Sequence, residues 1–250
     1  MEINLNKDER IDDLEYKNLK IIQNNNYFCF GMDSILLSDF AKNIKPNSTI
    51  VDLGTGTGII SILLSGKTKA RKIYGIEIQK EMSDMAYKSI KLNNLEERVE
   101  IINEDIKNIL KIFGKNSMDA VVTNPPYKEI NRGIVNETEN KIISRHEVRA
   151  NLEDFIRISS EILKNYGEFY MVNRPERLAD IIENLRKYGI EPKSIRFVYP
   201  KVDKEPKLIL IKAVKNAKKF LKIEKPLIIY DEKSNYTDEI YQIYNKEKRK

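Results

Sequence analysis

The stretch that decides the fold is VDLGTGTG, residues Val51–Gly58. A short apolar run, Thr49–Leu53, leads into it, and a buried helix is predicted to begin at Ile59. Glycines at every second position let the backbone bend sharply and let a ligand come close without a Cβ in the way. The segment therefore predicts the first strand, turn and helix of a nucleotide-binding α/β sheet.

The spacing of these glycines and the acidic residue before them narrow the ligand class. Dinucleotide enzymes use G-x-G-x-x-G to seat a pyrophosphate on the helix N-terminus, whereas this chain has G-x-G-x-G. The carboxylate of Asp52 would repel a pyrophosphate but suits a ligand with ammonium and sulfonium charges, such as S-adenosylmethionine. The pattern favours methyl transfer over hydride transfer, with cofactor contacts predicted from Asp52, Gly54, Thr55, Gly56 and Gly58.

Strands and helices alternate along most of the chain. Apolar residues recur at helical spacing in Glu81–Asn93 and Leu152–Leu163, and a further helix with Pro175 in its first turn ends near Gly189. The alternation predicts an α/β fold with a Rossmann-like, mostly parallel seven-stranded sheet and helices on both faces. The predicted strands are Thr49–Leu53, Lys72–Ile78, Val99–Ile102, Met118–Thr123, Glu168–Val172, Ser194–Tyr199 and Lys207–Val214.

The residues before the glycine turn predict a short hairpin and one helix. Leu19–Ile22 and Tyr27–Phe30 are predicted to be its strands, because a polar, turn-forming run separates them. Asp33 or Ser34 is predicted to cap an amphipathic helix that extends through Asn43.

We predict one domain, residues 1–250, in three segments. Residues 1–48 hold the hairpin and helix, and residues 49–214 form the catalytic core. Residues 215–250 form an extension with a strand, Pro226–Tyr230, and a short helix. Residues 128–150 show no periodicity, which is typical of a functional or disordered loop.

Composition predicts a globular protein of the cytoplasm. Hydrophobic residues make up 41% of the chain, and a formal charge of +6 favours anionic partners such as nucleic acid. The single cysteine, Cys29, permits no internal disulfide, which fits a reducing compartment. Met1–Arg10 lacks the apolar stretch of a signal peptide, and no apolar run approaches the roughly 20 residues of a membrane span. We expect a monomer or weak dimer without membrane contact.

Acidic residues follow the next two predicted strands. Glu77 lies about 20 positions beyond the glycine turn, where an acidic residue can accept hydrogen bonds from both ribose hydroxyls, with Ile78 beside it. Asp105 follows the third strand, where it can accept from the cofactor's adenine amino group while Ile106 packs on the ring. These four residues are predicted to bind the cofactor.

The most specific motif is Asn124-Pro125-Pro126-Tyr127, which follows the fourth predicted strand. The amino lone pair of adenine is delocalised and weakly nucleophilic. The Asn124 side-chain oxygen and the Pro125 carbonyl could accept both amino hydrogens and aim the lone pair at a methyl donor. Pro126 helps to hold that carbonyl outward, and Tyr127 offers a face on which an extruded base can stack. These four residues are the predicted catalytic residues, and Asn124 is also predicted to contact the cofactor.

Taken together, these motifs resemble those of the class I amino-methyltransferases. Further stretches resemble one branch, the bacterial valine-tRNA adenine-N6-methyltransferases, and the resemblance covers about Leu19 to Tyr244. The stretches that carry the branch resemblance are Phe28–Leu37, Ser144–Glu147, Arg174–Leu178 and Pro226–Thr237.

This resemblance implies a fold, a cofactor and a substrate. It implies a class I methyltransferase that uses S-adenosylmethionine, releases S-adenosylhomocysteine and needs no metal. The implied reaction is N6-methylation of the adenosine just 3′ of the tRNA anticodon, position 37. By the same resemblance, Asp33 lies near the amino-acid end of the cofactor.

Three other interpretations stay open. A glutamine-amide methyltransferase acting on release factors also uses Asn-Pro-Pro-Tyr, but such enzymes carry a helical domain where this chain has about 48 residues. A DNA or ribosomal-RNA amino-methyltransferase is the second, although a DNA enzyme would need a larger recognition domain. The third is a non-catalytic RNA-binding module, which the intact Asn124 and Glu77 disfavour.

Charged residues outside these motifs have weaker interpretations. His146, the only histidine, is predicted to order its loop or touch RNA, because N6 transfer needs no imidazole base. Lysine-rich runs are usually solvated surfaces, with RNA contact as the alternative. The two runs are Lys215, Lys218, Lys219, Lys222 and Lys225, and the tail Lys246, Lys248, Arg249 and Lys250.

Overall fold

The structure is a computed structural model and describes residues 4–27, 29–127 and 150–246. The predicted loop between Tyr127 and Asn151, with His146, lies largely outside these residues, as does the end of the basic tail. The strands are β1 Glu9–Asp13, β2 Lys20–Asn24, β3 Thr49–Leu53, β4 Lys72–Glu77, β5 Val99–Asn103, β6 Met118–Thr123, β7 Leu163–Asn173, β8 Ile190–Tyr199, β9 Leu208–Lys215, β10 Lys222–Ile223 and β11 Leu227–Ile228. The helices are α1 Met32–Phe40, α2 Ile59–Lys67, α3 Lys80–Leu92, α4 Ile109–Phe113, α5 Leu152–Ile162, α6 Leu178–Lys187 and α7 Asp238–Ile243.

The expected mostly parallel sheet is confirmed. Its strand order is β10-β8-β9-β7-β6-β3-β4-β5, and β9 alone among these runs antiparallel to its neighbours. The sheet has nine strands rather than seven, because β10 and β11 both add to the outer side of β8. Pro226 lies between these two short strands and has no N–H to donate, so the pairing with β8 is interrupted there.

Helices cover both faces of the sheet, so its central strands are buried on both sides. All five residues of β3 are buried, which is the pattern of a parallel strand between two helical layers. Ile50 packs in one core cluster with Ile60 of α2. Its neighbour Val51 points the other way and packs in a second cluster with Phe155 of α5.

The predicted N-terminal hairpin was wrong in its pairing. Strand β2 pairs with β1, Glu9–Asp13, and not with Tyr27–Phe30, of which Phe28 lies outside the described residues. The sequence ERIDD carries four charges and lacks apolar alternation, so no local pattern marks it as a strand. A contact from outside the hairpin helps to hold this strand, because Glu9 forms an ion pair with Lys88 of α3 at 2.8 Å.

The predicted limits of the first helix were also wrong. Helix α1 begins at Met32 with Gly31 as its N-cap, and it ends at Phe40 rather than Asn43. The Asp33 carboxylate accepts a hydrogen bond from the adjacent Ser34 N–H but caps no earlier turn. Its second oxygen is thereby left to face the site described below.

The C-terminal extension packs on the core through aromatic and apolar side chains. The ring of Tyr236 stacks between those of Tyr230 and Tyr244, at centroid distances of 5.4 and 5.9 Å. Ile243 of α7 is buried, and its carbonyl accepts a 2.9 Å hydrogen bond from the buried ammonium of Lys67. Among the described residues, no helix combines the length and apolar character needed to cross a bilayer.

Candidate active site

The residues singled out in the sequence meet at one edge of the sheet, which we call the carboxyl edge. Strands β5, β4, β3 and β6 are adjacent and parallel, so their carboxyl ends lie side by side. The glycine turn follows β3, Glu77 ends β4, Asp105 follows β5 and Asn124 follows β6. Ligands of open α/β sheets bind in the crevice outside such strand ends.

The glycine turn has a backbone that only glycine adopts readily. Gly54, Gly56 and Gly58 have φ values of 74°, 58° and 90°, all in the left-handed region. A Cβ on Gly58 would also lie 3.3 Å from the Cβ of Ala86 in α3. The turn therefore needs glycine for both its conformation and its packing.

Asp52 is completely buried beneath this turn. One carboxylate oxygen accepts hydrogen bonds from the hydroxyls of Thr55, at 2.5 Å, and Ser61, at 2.9 Å. The other oxygen, Oδ1, is buried and has no hydrogen-bond partner among the described residues. Burial raises the pKa of Asp52 to about 6, although the two hydroxyls act to lower it. Asp52 thus both supports the turn and leaves one acceptor unused.

Glu77 ties the end of β4 to the glycine turn. One oxygen accepts from the Gly56 N–H and the other from the Gln79 N–H, both at 2.9 Å. Burial raises the pKa of this carboxyl, and the backbone hydrogen bonds act to lower it. Each oxygen keeps a further lone pair for a ligand hydroxyl. The half-buried Ile78 follows directly.

Asp105 and Ile106 lie at the end of β5. The Asp105 side chain accepts from the Lys107 N–H at 2.9 Å and so caps a short turn of 3₁₀ helix, Ile106–Asn108. Ile106 is buried in the core cluster that contains Val51. Asp105 therefore stands half-exposed at the carboxyl edge, above an apolar side chain.

Asn124 and Tyr127 both contact Asp33, which lies in the first turn of α1. The Asn124 amide nitrogen donates to Asp33 Oδ2 at 3.2 Å and lies 3.4 Å from the Ser34 hydroxyl. The Tyr127 hydroxyl lies 2.7 Å from the same carboxylate oxygen and 2.8 Å from Asn124 Oδ1. Burial, together with the negative charge of Asp33, raises the pKa of Tyr127, so its hydroxyl keeps its proton.

This arrangement fixes which way the Asn124 amide faces. An amide nitrogen donates and a carboxylate only accepts, so Asp33 holds the nitrogen of Asn124. Asn124 Oδ1 lies 2.8 Å from the Tyr127 hydroxyl and keeps a further lone pair for another donor. Pro125 is buried and Pro126 is exposed. The two proline rings fix the φ angles of the segment between Asn124 and Tyr127. The motif thus presents an oriented acceptor at the carboxyl edge.

Arg174 covers one face of the Tyr127 ring. Its guanidinium carbon lies 5.1 Å from the ring centroid, within cation–π range. One of its nitrogens donates to the Lys207 carbonyl at 3.2 Å, which links the end of β7 to the loop before β9. Tyr127 is therefore held by Asp33 at its hydroxyl and by Arg174 at its ring.

Sequence reasoning gave three of these residues no chemical role at the site. Ser61 was a polar residue in an otherwise apolar helix, IISILLSGK, which signalled a buried hydrogen bond. Asn103 donates to the carbonyls of Glu77 and Ile78 and so braces the turn after β4. Arg174 follows the carboxyl end of β7 and opens one of the stretches that carry the family resemblance, and these were its two signals.

The fold and the carboxyl edge define the class of protein. The sheet is doubly wound and has a G-x-G-x-G turn after β3, an acidic residue at the end of β4 and Asn-Pro-Pro-Tyr after β6. This combination defines a class I methyltransferase. Residues 18–188 match the family described as the methyltransferase small domain, and the chain belongs to this family.

Individual relatives agree with this placement. The chain is 26% identical to a tRNA1(Val) (adenine(37)-N6)-methyltransferase of Porphyromonas gingivalis, over 80% of this chain and 79% of the relative. It is 24% identical to a protein of the same name from Haemophilus influenzae, over 91% and 94%. The crystal structure of a predicted O-methyltransferase from Agrobacterium tumefaciens shares the fold with a TM-score of 0.70 and 22% identity, over 86% of this chain and 96% of that one.

Proposed function

We propose that this methyltransferase uses S-adenosylmethionine to methylate N6 of an adenosine in tRNA, at position 37 of valine tRNA. The observation that carries the proposal is the Asn124 amide, whose nitrogen is held by Asp33 so that its oxygen is an oriented acceptor. The names of the relatives support the choice of tRNA and of adenine N6. As part of the proposal, residues 1–250 act as one domain in the cytoplasm.

The residues at the glycine turn fit S-adenosylmethionine. Asp52 keeps one buried oxygen without a partner, and such an acceptor is costly unless a donor reaches it. An ammonium group is a donor of the right charge. Glu77 would accept from ribose hydroxyls, Asp105 from the adenine amino group, and the glycines leave room for close approach. When bound, this cofactor supplies a methyl group activated by a sulfonium.

The chain's own residues would prepare the acceptor nitrogen. Asn124 Oδ1 and the Pro125 carbonyl would accept the two amino hydrogens, which draws the nitrogen away from planarity and frees its lone pair. Asp33 keeps the Asn124 amide from turning over. No strong base is required, because the proton can pass to solvent after transfer.

Replacing Glu77 with alanine is expected to weaken the binding of the cofactor. The change removes two charge-assisted acceptors, so the Kd for S-adenosylmethionine should rise by about 10- to 100-fold in calorimetric titration. Glu183→Ala is the control, because Glu183 is exposed on α6, away from the glycine turn and the residues predicted to bind the cofactor. An unchanged Kd in the Glu77 variant would show that this carboxylate does not hold the cofactor.

Replacing Tyr127 with alanine is expected to weaken the binding of tRNA rather than the binding of the cofactor. Loss of a stacking surface for one base should raise the KM for tRNA by about 5- to 100-fold. Tyr127→Phe keeps the ring and loses only the hydroxyl contacts with Asp33 and Asn124, so its KM should stay near that of the wild type. Equal KM values for the alanine and phenylalanine variants would argue against stacking.

The reaction is tested by offering several acceptors to the wild-type protein. Labelled S-adenosylmethionine is incubated separately with unmodified valine tRNA, bulk ribosomal RNA, DNA and a release factor, and the labelled product is digested and identified. N6-methyladenosine at position 37 of the tRNA is expected. Label in glutamine, or in another nucleic acid but not in tRNA, would replace the proposal with one of its alternatives.

A further inference from the structure

A short exposed segment that includes the outermost strand, β10, combines lysines with large apolar side chains. All six residues from Lys218 to Ile223 are exposed. Among them, Phe220 is 69% exposed, Ile223 58% and Leu221 40%. Contiguous exposed apolar residues on a folded domain mark a surface that contacts something else. We call residues 218–225, together with Lys193 of β8, the basic edge.

The charges of the basic edge are largely uncompensated. Lys222 pairs with Glu224 at 2.8 Å. Over the ranges that the structure describes, no carboxylate forms an ion pair with Lys218, Lys219 or Lys225. Lys193 donates to the Lys218 carbonyl at 2.9 Å and lies 5.5 Å from the centroid of the Phe220 ring. The basic edge thus carries five lysines and one carboxylate, and one of these lysines, Lys193, lies over the Phe220 ring.

Lys215, which the sequence groups with these lysines, has a different role. Its ammonium donates to the carbonyls of Ser160 and Leu163, at 2.5 and 2.8 Å, and so binds the end of α5. It is therefore structural and is not available to a partner.

The sheet places the basic edge level with the candidate active site. Ile223 pairs with Ile195, Ile195 with Ile211, Ile211 with Met171, and Met171 with Thr123. This row ends at the residue before Asn124 and crosses four strand spacings, about 19 Å in all. Apart from Ile223 the row itself is buried, but it places the basic edge at the level of the candidate active site and within reach of a polyanion that places one base at Asn124.

Edge strands often carry lysine simply to prevent pairing with another sheet. That role explains the charge of the segment but not its exposed Phe220, Leu221 and Ile223, which would favour association. Lysines that follow a phosphate backbone, interleaved with an aromatic ring on which an unpaired base can stack, are the combination found in surfaces that bind single-stranded nucleic acid. We infer that the basic edge docks the RNA substrate, with its lysines on phosphates and Phe220 against an unpaired base; this inference rests on the proposed function.

The test reverses three charges. The variant Lys218→Glu/Lys219→Glu/Lys225→Glu should bind an unmodified valine tRNA transcript at least about tenfold more weakly at physiological salt. The slope of log K against log salt should fall in magnitude by about one per lost contact. The turnover number at saturating tRNA and the Kd for S-adenosylmethionine should stay unchanged, because four strand spacings, about 19 Å, separate the basic edge from the end of β6 and no lysine of the edge contacts the described residues of the site.

A matched control makes the same charge change on the opposite side of the sheet. Lys45, Lys69 and Lys115 are exposed and precede β3, β4 and β6, at the amino ends of these strands. Their triple glutamate variant has the same net charge as the test variant and should bind tRNA close to wild-type strength. Equal weakening in both variants would show only a net-charge effect and would overturn the docking surface.

The variant Phe220→Ala distinguishes base stacking on this ring from the contacts of the lysines with phosphates. It should weaken tRNA binding by about tenfold without changing the salt slope. Wild-type affinity in both the lysine and the Phe220 variants would overturn the inference, as would a wild-type protein that binds no RNA. If the wild type binds tRNA through this edge but forms no N6-methyladenosine, the docking surface stands and the proposed reaction fails.

Discussion

Replacing Asn124 with alanine is expected to lower kcat by about 100- to 1,000-fold or more while the Kd for S-adenosylmethionine stays within a few-fold. Loss of one oriented polar group at a reacting centre typically costs this much, because nothing else can take over its geometry. Here the lost group is the acceptor that Asp33 orients from 91 residues away. Single-turnover transfer to tRNA and calorimetric titration of the cofactor measure the two quantities.

The control for this variant is Asn184→Ala. Asn184 lies on α6, and within the part of the chain that the structure describes its side chain donates only to the Asp180 carbonyl, so the same side chain is removed at a distance from the carboxyl edge. Its turnover should match that of the wild type. Wild-type turnover in the Asn124 variant would exclude the acceptor mechanism, and a large loss of cofactor affinity would place Asn124 in cofactor binding instead.

Replacing Asp52 with asparagine is expected to remove a pH-dependent loss of stability. Burial raises the pKa of this carboxyl from its ordinary value of 3.8 to about 6 in the folded protein. Its contribution to stability is therefore fully present below about pH 4 and is lost as the pH rises through about 6. The difference between the two pKa values corresponds to about 3 kcal/mol at neutral pH.

Urea unfolding of the cofactor-free protein measures this effect. The free energy of unfolding of Asp52→Asn minus that of the wild type should grow by up to about 3 kcal/mol between pH 4 and pH 8. Asp119→Asn is the control. Burial acts to raise the pKa of Asp119, but the hydrogen bond from Lys164 lowers it, so the corresponding difference should be flat between pH 5 and pH 8. A flat difference for Asp52 would show that its carboxyl is not shifted upward.

Local sequence pattern predicts those residues of the site that stand at the ends of strands. The glycine turn, Glu77, Asp105 and Asn124 each stand directly after a short apolar run, and parallel strands bring such ends together. What local pattern does not predict is how these side chains are held. The contacts of Asn124 with Asp33 and of Asp52 with Ser61 depend on packing between different elements.

The errors in the predicted fold have the same origin. The charged strand Glu9–Asp13 has no apolar alternation, and its place is set by β2 and by the ion pair of Glu9 with Lys88. Helix α1 begins at Met32 with Gly31 as its N-cap, and the Asp33 carboxylate contacts Asn124 and Tyr127 instead of capping the helix. In each case a contact distant in sequence outweighed a local preference.

The amino-acid sequence by itself determined that this protein has an α/β sheet, a glycine turn and a row of polar strand ends, because these follow from apolar periodicity and glycine spacing over a few residues. Only the tertiary structure decided that Asp33 orients Asn124, that Arg174 covers Tyr127, that Lys215 is structural and that the basic edge lies level with Asn124. These features depend on strand register and side-chain burial, which arise only when segments far apart in the chain pack together.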